Sequence, residues 1–159
     1  MTSPVIFSRA SDEWATPDAL FDALNAEFAF GLDAAASPDN AKLPVYLTDA
    51  LQVDWGALSG HRAVWCNPPY SRCREFIAKA SLEASRGLTV VCLVPSRTDT
   101  RWWHDYVWDR TTHHTRPGVQ IRYMKGRLKF GGALHGAPFP SVVIIFRPPT
   151  NFLIDNTVR

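Results

Sequence analysis

Cysteine, long apolar runs and net charge are all scarce in this 159-residue chain, and each scarcity excludes something. The three cysteines, Cys66, Cys73 and Cys92, show no paired short spacing of zinc-ligand type and leave one over in any pairing. That argues against a disulfide framework and for reduced, packed thiols. The five histidines are scattered apart from His113-His114 and have no cysteine cluster beside them, so no metal site is expected. No apolar stretch approaches the ~20 residues of a membrane span, and the first residues lack the charged-then-apolar pattern of a signal peptide. The expectation is a soluble protein of the cytoplasm without a membrane partner. Internal repeats, coiled-coil heptads and long linkers are absent as well.

What remains is ordinary globular composition, 46% hydrophobic and 20% charged, in a length that suits one domain and leaves no room for a second recognition domain. Residues 1–13 show no periodicity and read as a flexible arm, with a single domain over 14–159. The net charge of +2 hides an asymmetry. Residues 115–159 carry seven Lys/Arg (Arg116, Arg122, Lys125, Arg127, Lys129, Arg147, Arg159) against Asp155 alone, whereas residues 1–114 are net acidic. A basic C-terminal third suits a phosphate backbone, although a solvated basic face would look the same.

Periodicity gives the elements. Thr16-Pro17-Asp18 has the order of an N-cap, a proline at the first helical position and an acid in the first turn, and Leu20, Phe21, Leu24 and Phe28 follow at helical spacing. Residues 28–32 lead as a strand into Asp33, and Val45-Tyr46-Leu47 is a second short extended piece. Ala63–Cys66 is a third strand. Residues 72–86 read as a helix closed by Gly87, and Leu88–Val94 is a buried, β-branched strand stopped by Pro95. A helix is expected over 100–109, then strands at Val119–Tyr123 and Pro140–Phe146. The alternation predicts an α/β protein with a mostly parallel sheet and an antiparallel edge hairpin.

The most informative residues are Asn67-Pro68-Pro69-Tyr70, directly after the apolar run 63–66. The C-terminal end of a buried strand is where an open α/β sheet places its ligand chemistry. Two prolines fix φ, remove two donors and push Asn67 into an extended conformation, so the turn presents carbonyl oxygens and the Asn67 amide oxygen as rigid acceptors. Tyr70 adds a flat face on which a planar base or amide could stack, worth roughly 1–3 kcal/mol. Such acceptors suit an exocyclic or carboxamide –NH2. That nitrogen is a poor nucleophile because its lone pair is delocalised. Hydrogen bonds from its two protons to the Asn67 side chain and the Pro68 carbonyl would favour the pyramidal form whose lone pair can attack. A plain polyproline-type turn is the competing reading of the same four residues.

Asn-Pro-Pro-Tyr resembles the catalytic motif of S-adenosylmethionine-dependent amino-methyltransferases, which act on adenine N6, cytosine N4 or glutamine amide nitrogen. Asp33 and Asp49, at two successive strand ends, could accept hydrogen bonds from an α-ammonium, a ribose hydroxyl or an adenine amine. The Phe-x-Gly-x-Gly loop of many methyltransferases is missing, and Leu32-Asp33-Ala34-Ala35-Ala36 stands in its place, small enough for a ligand to approach the backbone. The chain is similar to the phage-type DNA N6-adenine methyltransferases over residues 14–147. The likeness is carried by Trp14-Ala15-Thr16-Pro17, Leu32–Ala35, Asn40-Ala41-Lys42, Trp65–Tyr70, Leu93-Val94-Pro95 with Trp102-Trp103-His104, Gly126–Phe130 and Ala137–Ser141.

The resemblance implies a Rossmann-like methyltransferase fold, with S-adenosylmethionine held by Trp14, Thr16, Pro17, Asp33, Asp49 and Asn67. It places Asn67, Pro68, Pro69 and Tyr70 at the target amine and DNA as the partner, in the host cytoplasm if the gene is phage-borne; a monomer is expected because the sequence offers no long apolar surface helix for an interface. A base inside a duplex cannot reach such a pocket, so the target nucleotide must be flipped out. Tyr70 would take one face of it and Phe130 is a candidate for the other, with Arg97 supporting and Arg127 and Lys129 on phosphates. For Phe130 core packing is an equal alternative. Competing readings are a cytosine N4 or protein glutamine substrate, and a catalytically idle DNA-binding protein of the same fold.

Overall fold

The structure is a computed structural model that describes residues 14–149. The arm expected at 1–13 and the basic Arg159 lie outside the described residues. Helix α1 (Asp18–Phe28) opens the fold and buries Phe21 and Leu24. It is followed by β1 (Leu32–Asp33), α2 (Trp55–Ser59), β2 (Val64–Cys66), α3 (Cys73–Ser85) and β3 (Val90–Pro95). Next come α4 (Arg101–Tyr106), β4 (Trp108–Asp109), β5 (His114–Thr115), β6 (Val119–Tyr123) and β7 (Ser141–Phe146).

The main sheet has the order β1-β2-β3-β7-β6, and β4 pairs with β5 in a separate two-stranded ribbon. β1, β2 and β3 pair in parallel, but β3–β7 and β7–β6 are antiparallel. The sheet is therefore mixed, and β7, antiparallel to both of its neighbours, pairs with the outermost strand β6 as the antiparallel hairpin expected at this edge. The cause is the connection 124–140. It contains a 3-10 turn at Phe130–Gly132 and no α-helix, so it lacks the helical crossover that a parallel return normally uses. The chain folds back and slots β7 between β3 and β6.

Strand periodicity distributes the core over both faces. Val64, Cys66, Val90, Cys92, Val94, Val142, Ile144 and Phe146 pack with Trp55, Phe76, Ile77 and Trp103 on one side. The alternate residues Trp65, Val91, Leu93, Val143 and Ile145 pack with Phe21, Leu24, Phe30 and Phe130 on the other. Burial of both faces is why β3 and β7 read as unbroken apolar runs. Cys66, Cys73 and Cys92 are buried and free of disulfides, and burial pushes the Cys66 thiol well up. Among the described residues no three His, Cys, Asp or Glu side chains converge as metal ligands, and no helix is long and apolar enough to cross a membrane.

Three local differences from the sequence expectations have identifiable causes. Thr16 does not cap α1; Pro17 occupies the cap with ψ 133° and no side-chain bond, because the Thr16 hydroxyl is used elsewhere. The helix expected over 100–109 stops at Tyr106, and Trp108-Asp109 turns back through a bend in which the Asp109 carboxylate accepts from the Thr111 N–H and hydroxyl. Helix α2 is short and was not anticipated. Asp54 caps it by accepting from the Ala57 N–H at 3.1 Å, Gly60 ends it in the left-handed region, and Trp55 Nε1 donates to the Ala50 carbonyl. Gly31 is the close approach that lets this helix sit beside β1: a Cβ there would lie 2.2 Å from the Ser59 carbonyl oxygen.

Candidate active site

Parallel pairing brings two chemistry-bearing strand ends to one edge of the sheet. Asp33 is level with Trp65, and the Ala34 N–H donates to the Trp65 carbonyl at 2.8 Å. Asn67 follows two residues later, ~7 Å further along the strand direction. The Asn67 Nδ2 donates to the Trp14 carbonyl and, at 3.0 Å, to Thr16 Oγ1. A carbonyl can only accept, so this contact fixes which end of the amide is nitrogen. The Asn67 Oδ1 is consequently turned the other way. It is buried and has no partner among the described residues, a state that costs about 1–3 kcal/mol unless a donor arrives. Thr16, only 4% exposed, thus serves the tetrapeptide rather than the helix.

Below this amide lies a cleft lined by Trp14, Thr16, Asp33, Ala35, Ala36, Asn40, Lys42, Thr48, Asn67 and Pro69, among others. Asp33 is its buried acid. Burial raises its carboxyl to about 6, opposed by the backbone N–H groups of Lys42 and Ala35 and by the Lys42 charge. Those two N–H groups donate to the two carboxylate oxygens at 3.0 and 3.4 Å. The Lys42 ammonium itself pairs with Asp18, which holds the Asp18 carboxyl below its ordinary value. Asn40 Oδ1 accepts from the Ser37 N–H at 2.7 Å and closes the loop after the alanines. Lys42, Asn40, Ser37 and Thr48 had no role in the sequence reading. The Asn40-Ala41-Lys42 stretch was its signal, and the strand-side loop it belongs to wraps Asp33.

The other side of Asn67 is aromatic. The Tyr70 ring meets Phe139 edge-to-face at 5.4 Å and Phe130 at 6.3 Å and 82°. Trp14 meets the same two rings at 5.2 and 5.4 Å. Trp14 therefore belongs both to the cleft and to the aromatic cluster. Phe130 is buried and perpendicular to Tyr70, so the two rings do not form a parallel slot. Phe139, given no role from sequence, lies closer to Tyr70. The Tyr70 hydroxyl is buried and unpartnered among the described residues, and burial pushes its ionisation far above the phenol norm. It stays protonated and cannot serve as a base.

A model of the family described as DNA N-6-adenine-methyltransferase (Dam) matches residues 5–155. The chain belongs to this family. Two relatives carry the description "DNA N-6-adenine-methyltransferase". That of Escherichia phage T1 is 32% identical over 96 residues, which cover 58% of this chain and 39% of the relative. That of Haemophilus phage HP1 is 34% identical over 98 residues, covering 58% of this chain and 54% of the relative. The matches thus span about half, or less, of those proteins' own lengths. No solved structure matches the chain significantly.

In this Dam-family chain the remaining candidates sit apart from the cleft. Pro17 caps α1, and Pro68 is buried and does not line the cleft, although Asn67 and Pro69 on either side of it do. Asp49 is exposed and is not part of the cleft wall, which uses Thr48 instead. Arg97 is exposed just beyond β3, at the same sheet end as Asn67. The basic third resolves into two groups. Arg122 forms a two-pronged pair with Glu27, Arg147 bonds Gln120, and Arg116 donates to the His104 carbonyl. Lys125, Arg127 and Lys129, all in the connection 124–140, are exposed and have no ion pair among the described residues.

Proposed function

We propose that this chain is an S-adenosylmethionine-dependent DNA methyltransferase acting on the N6 amine of adenine in a flipped-out nucleotide. The observation that carries the proposal is the buried, unpartnered Asn67 Oδ1, held in orientation from behind by Trp14 and Thr16. An exocyclic –NH2 is the donor that such an acceptor needs. Accepting one amine proton at Oδ1 and the other at the Pro68 carbonyl draws the lone pair out of conjugation as charge develops. Pro69 keeps the turn rigid, and the Tyr70 ring provides the stacking face. The Dam family model and the two phage relatives support DNA adenine as the substrate over cytosine or glutamine.

The cleft suits the methyl donor in its donor set. Asp33 offers a buried carboxylate to a cationic or hydroxylic group, and the alanines beside it leave the backbone open to close approach. Trp14 and Thr16 wall the same cleft, Pro17 anchors their segment to α1, and Asp49 could reach only its rim. When bound there, S-adenosylmethionine supplies an electrophilic methyl group on a sulfonium. The sheet, with its ligand edge at the ends of β1 and β2, supports a Rossmann-like methyltransferase fold. DNA as partner fits the free cations Lys125, Arg127 and Lys129, and we take the protein to act as a monomer in the cytoplasm of its host.

Mass spectrometry of nucleosides from plasmid DNA, grown in methylation-deficient cells with and without this protein, tests the reading directly. N6-methyladenine should appear only with the protein and vanish in Asn67→Ala and Tyr70→Ala. N4-methylcytosine in its place, or no modified base at all, would overturn it.

A further inference from the structure

The connection 124–140 is anchored on both sides of an exposed turn. Phe130 and Ala137 are both buried in the core cluster that contains Trp65 and Leu93. The Gly131 N–H donates to the Ala15 carbonyl at 2.9 Å, and the Ala137 N–H donates to the Leu128 carbonyl at 2.8 Å. Between these anchors residues 131–136 are all exposed, and Gly131 and Gly132 take positive φ to lift the chain off the surface. At the summit stands Leu134, 87% exposed, the most exposed large apolar side chain among the described residues.

Its setting is specific. Phe130 and Phe139, on either side of the raised tip, both contact Tyr70, so the tip rises beside the proposed amine pocket. Lys125, Arg127 and Lys129 precede it, exposed and without an ion pair among the described residues. A bare leucine on a glycine-rich tip, preceded by three cations and fixed next to the pocket, has the properties of a wedge for a nucleic-acid duplex. Apolar side chains inserted between base steps offset unstacking, and cations on the flanking phosphates hold them there.

We propose that the tip 131–136 enters duplex DNA and that Leu134 fills the gap left in the base stack when the target adenine swings into the Asn67–Tyr70 pocket. The proposal rests on the methyltransferase reading given above. It assigns Leu134 a role needed only where a stack must be opened. In single-stranded DNA the target base has no partner to leave and no duplex gap remains to be filled, so its methylation should be indifferent to this side chain.

The test compares transfer of labelled methyl groups from S-adenosylmethionine to unmethylated plasmid DNA, native and heat-denatured, by the full-length wild type, Leu134→Ala and Leu134→Met. The expected result for Leu134→Ala is a loss of about tenfold or more on native DNA, with less than about a twofold change on denatured DNA. Leu134→Met should retain most of the duplex activity. Equal losses on both substrates, no loss on either, or a wild type active only on denatured DNA would overturn the wedge. A wild type inactive on both would instead overturn the methyltransferase reading. Leu134 is 87% exposed, so the melting temperature of the variants should match wild type and exclude misfolding.

Discussion

Asp33 carries a conflict between folding and binding. Its carboxyl titrates at about 6 in the fold against an ordinary 3.8, so below about pH 4 it is neutral in both states and costs nothing. As pH rises from about 4 to 6 the unfolded chain ionises first, and stability falls by up to about 3 kcal/mol before levelling off. Asp33→Asn should therefore be more stable than wild type at pH 7.5, with the advantage shrinking toward pH 4, as thermal melts would show. The same variant should lose S-adenosylmethionine binding in calorimetry, whereas wild-type affinity should climb as pH rises through 6. Behind Asn67, Thr16→Val removes one of two acceptors that hold the amide. We expect kcat to fall about tenfold with the cofactor Kd nearly unchanged, and Thr16→Ser to restore most of it, measured by methyl transfer. That Asn67 and Asp33 stand at neighbouring strand ends was legible in the sequence, because apolar strands and a proline-fixed turn set their places. Thr16's partner was not, since the bond joins positions far apart in the chain that only the folded sheet edge brings together.

At the level of elements, the connection 124–140 separates cations by what they already touch. Arg127→Ala and Lys129→Ala should each lower the slope of log affinity for DNA against log salt by about one, if both contact phosphates. Arg147→Ala and Arg122→Ala, whose guanidinium groups are engaged within the fold, should leave that slope in place; filter binding over a salt series reads the difference. Charge counting alone could not make this division, because a basic third looks uniform until Glu27 and Gln120 are found opposite two of its arginines. Element ends were legible where caps and prolines mark them, as at Gly87 and Pro95. The turn after α4 was not, because Trp102, Trp103, Tyr106 and Trp108 keep an apolar rhythm through a change of structure. Helix α2 is held by contacts as much as by its caps. Gly31→Ala, with its Cβ driven against the Ser59 carbonyl, should part α2 from β1, lower the melting temperature and disturb the nearby Asp33.

For the whole molecule, β7 is the buried strand that ties β3 to β6. Ile144 is fully buried at the centre of the strand that joins β3 to β6. Ile144→Ala should cost about 2–5 kcal/mol, seen as a shifted denaturant midpoint. That β7 is a buried strand running against β6 could be read from its apolar run and the hairpin-like end of the chain; that it pairs with β3 as well could not, because burial on both faces does not say which strand lies next to it. Its position has a further consequence for synthesis. The strand that completes the interior is the last of the sheet to be made. While residues 90–95 wait for 141–146, their apolar ladder edge stands open to any neighbouring nascent chain. A fragment ending at residue 140 should accordingly collect in inclusion bodies, and slowing translation between the two strands should lower the yield of native protein.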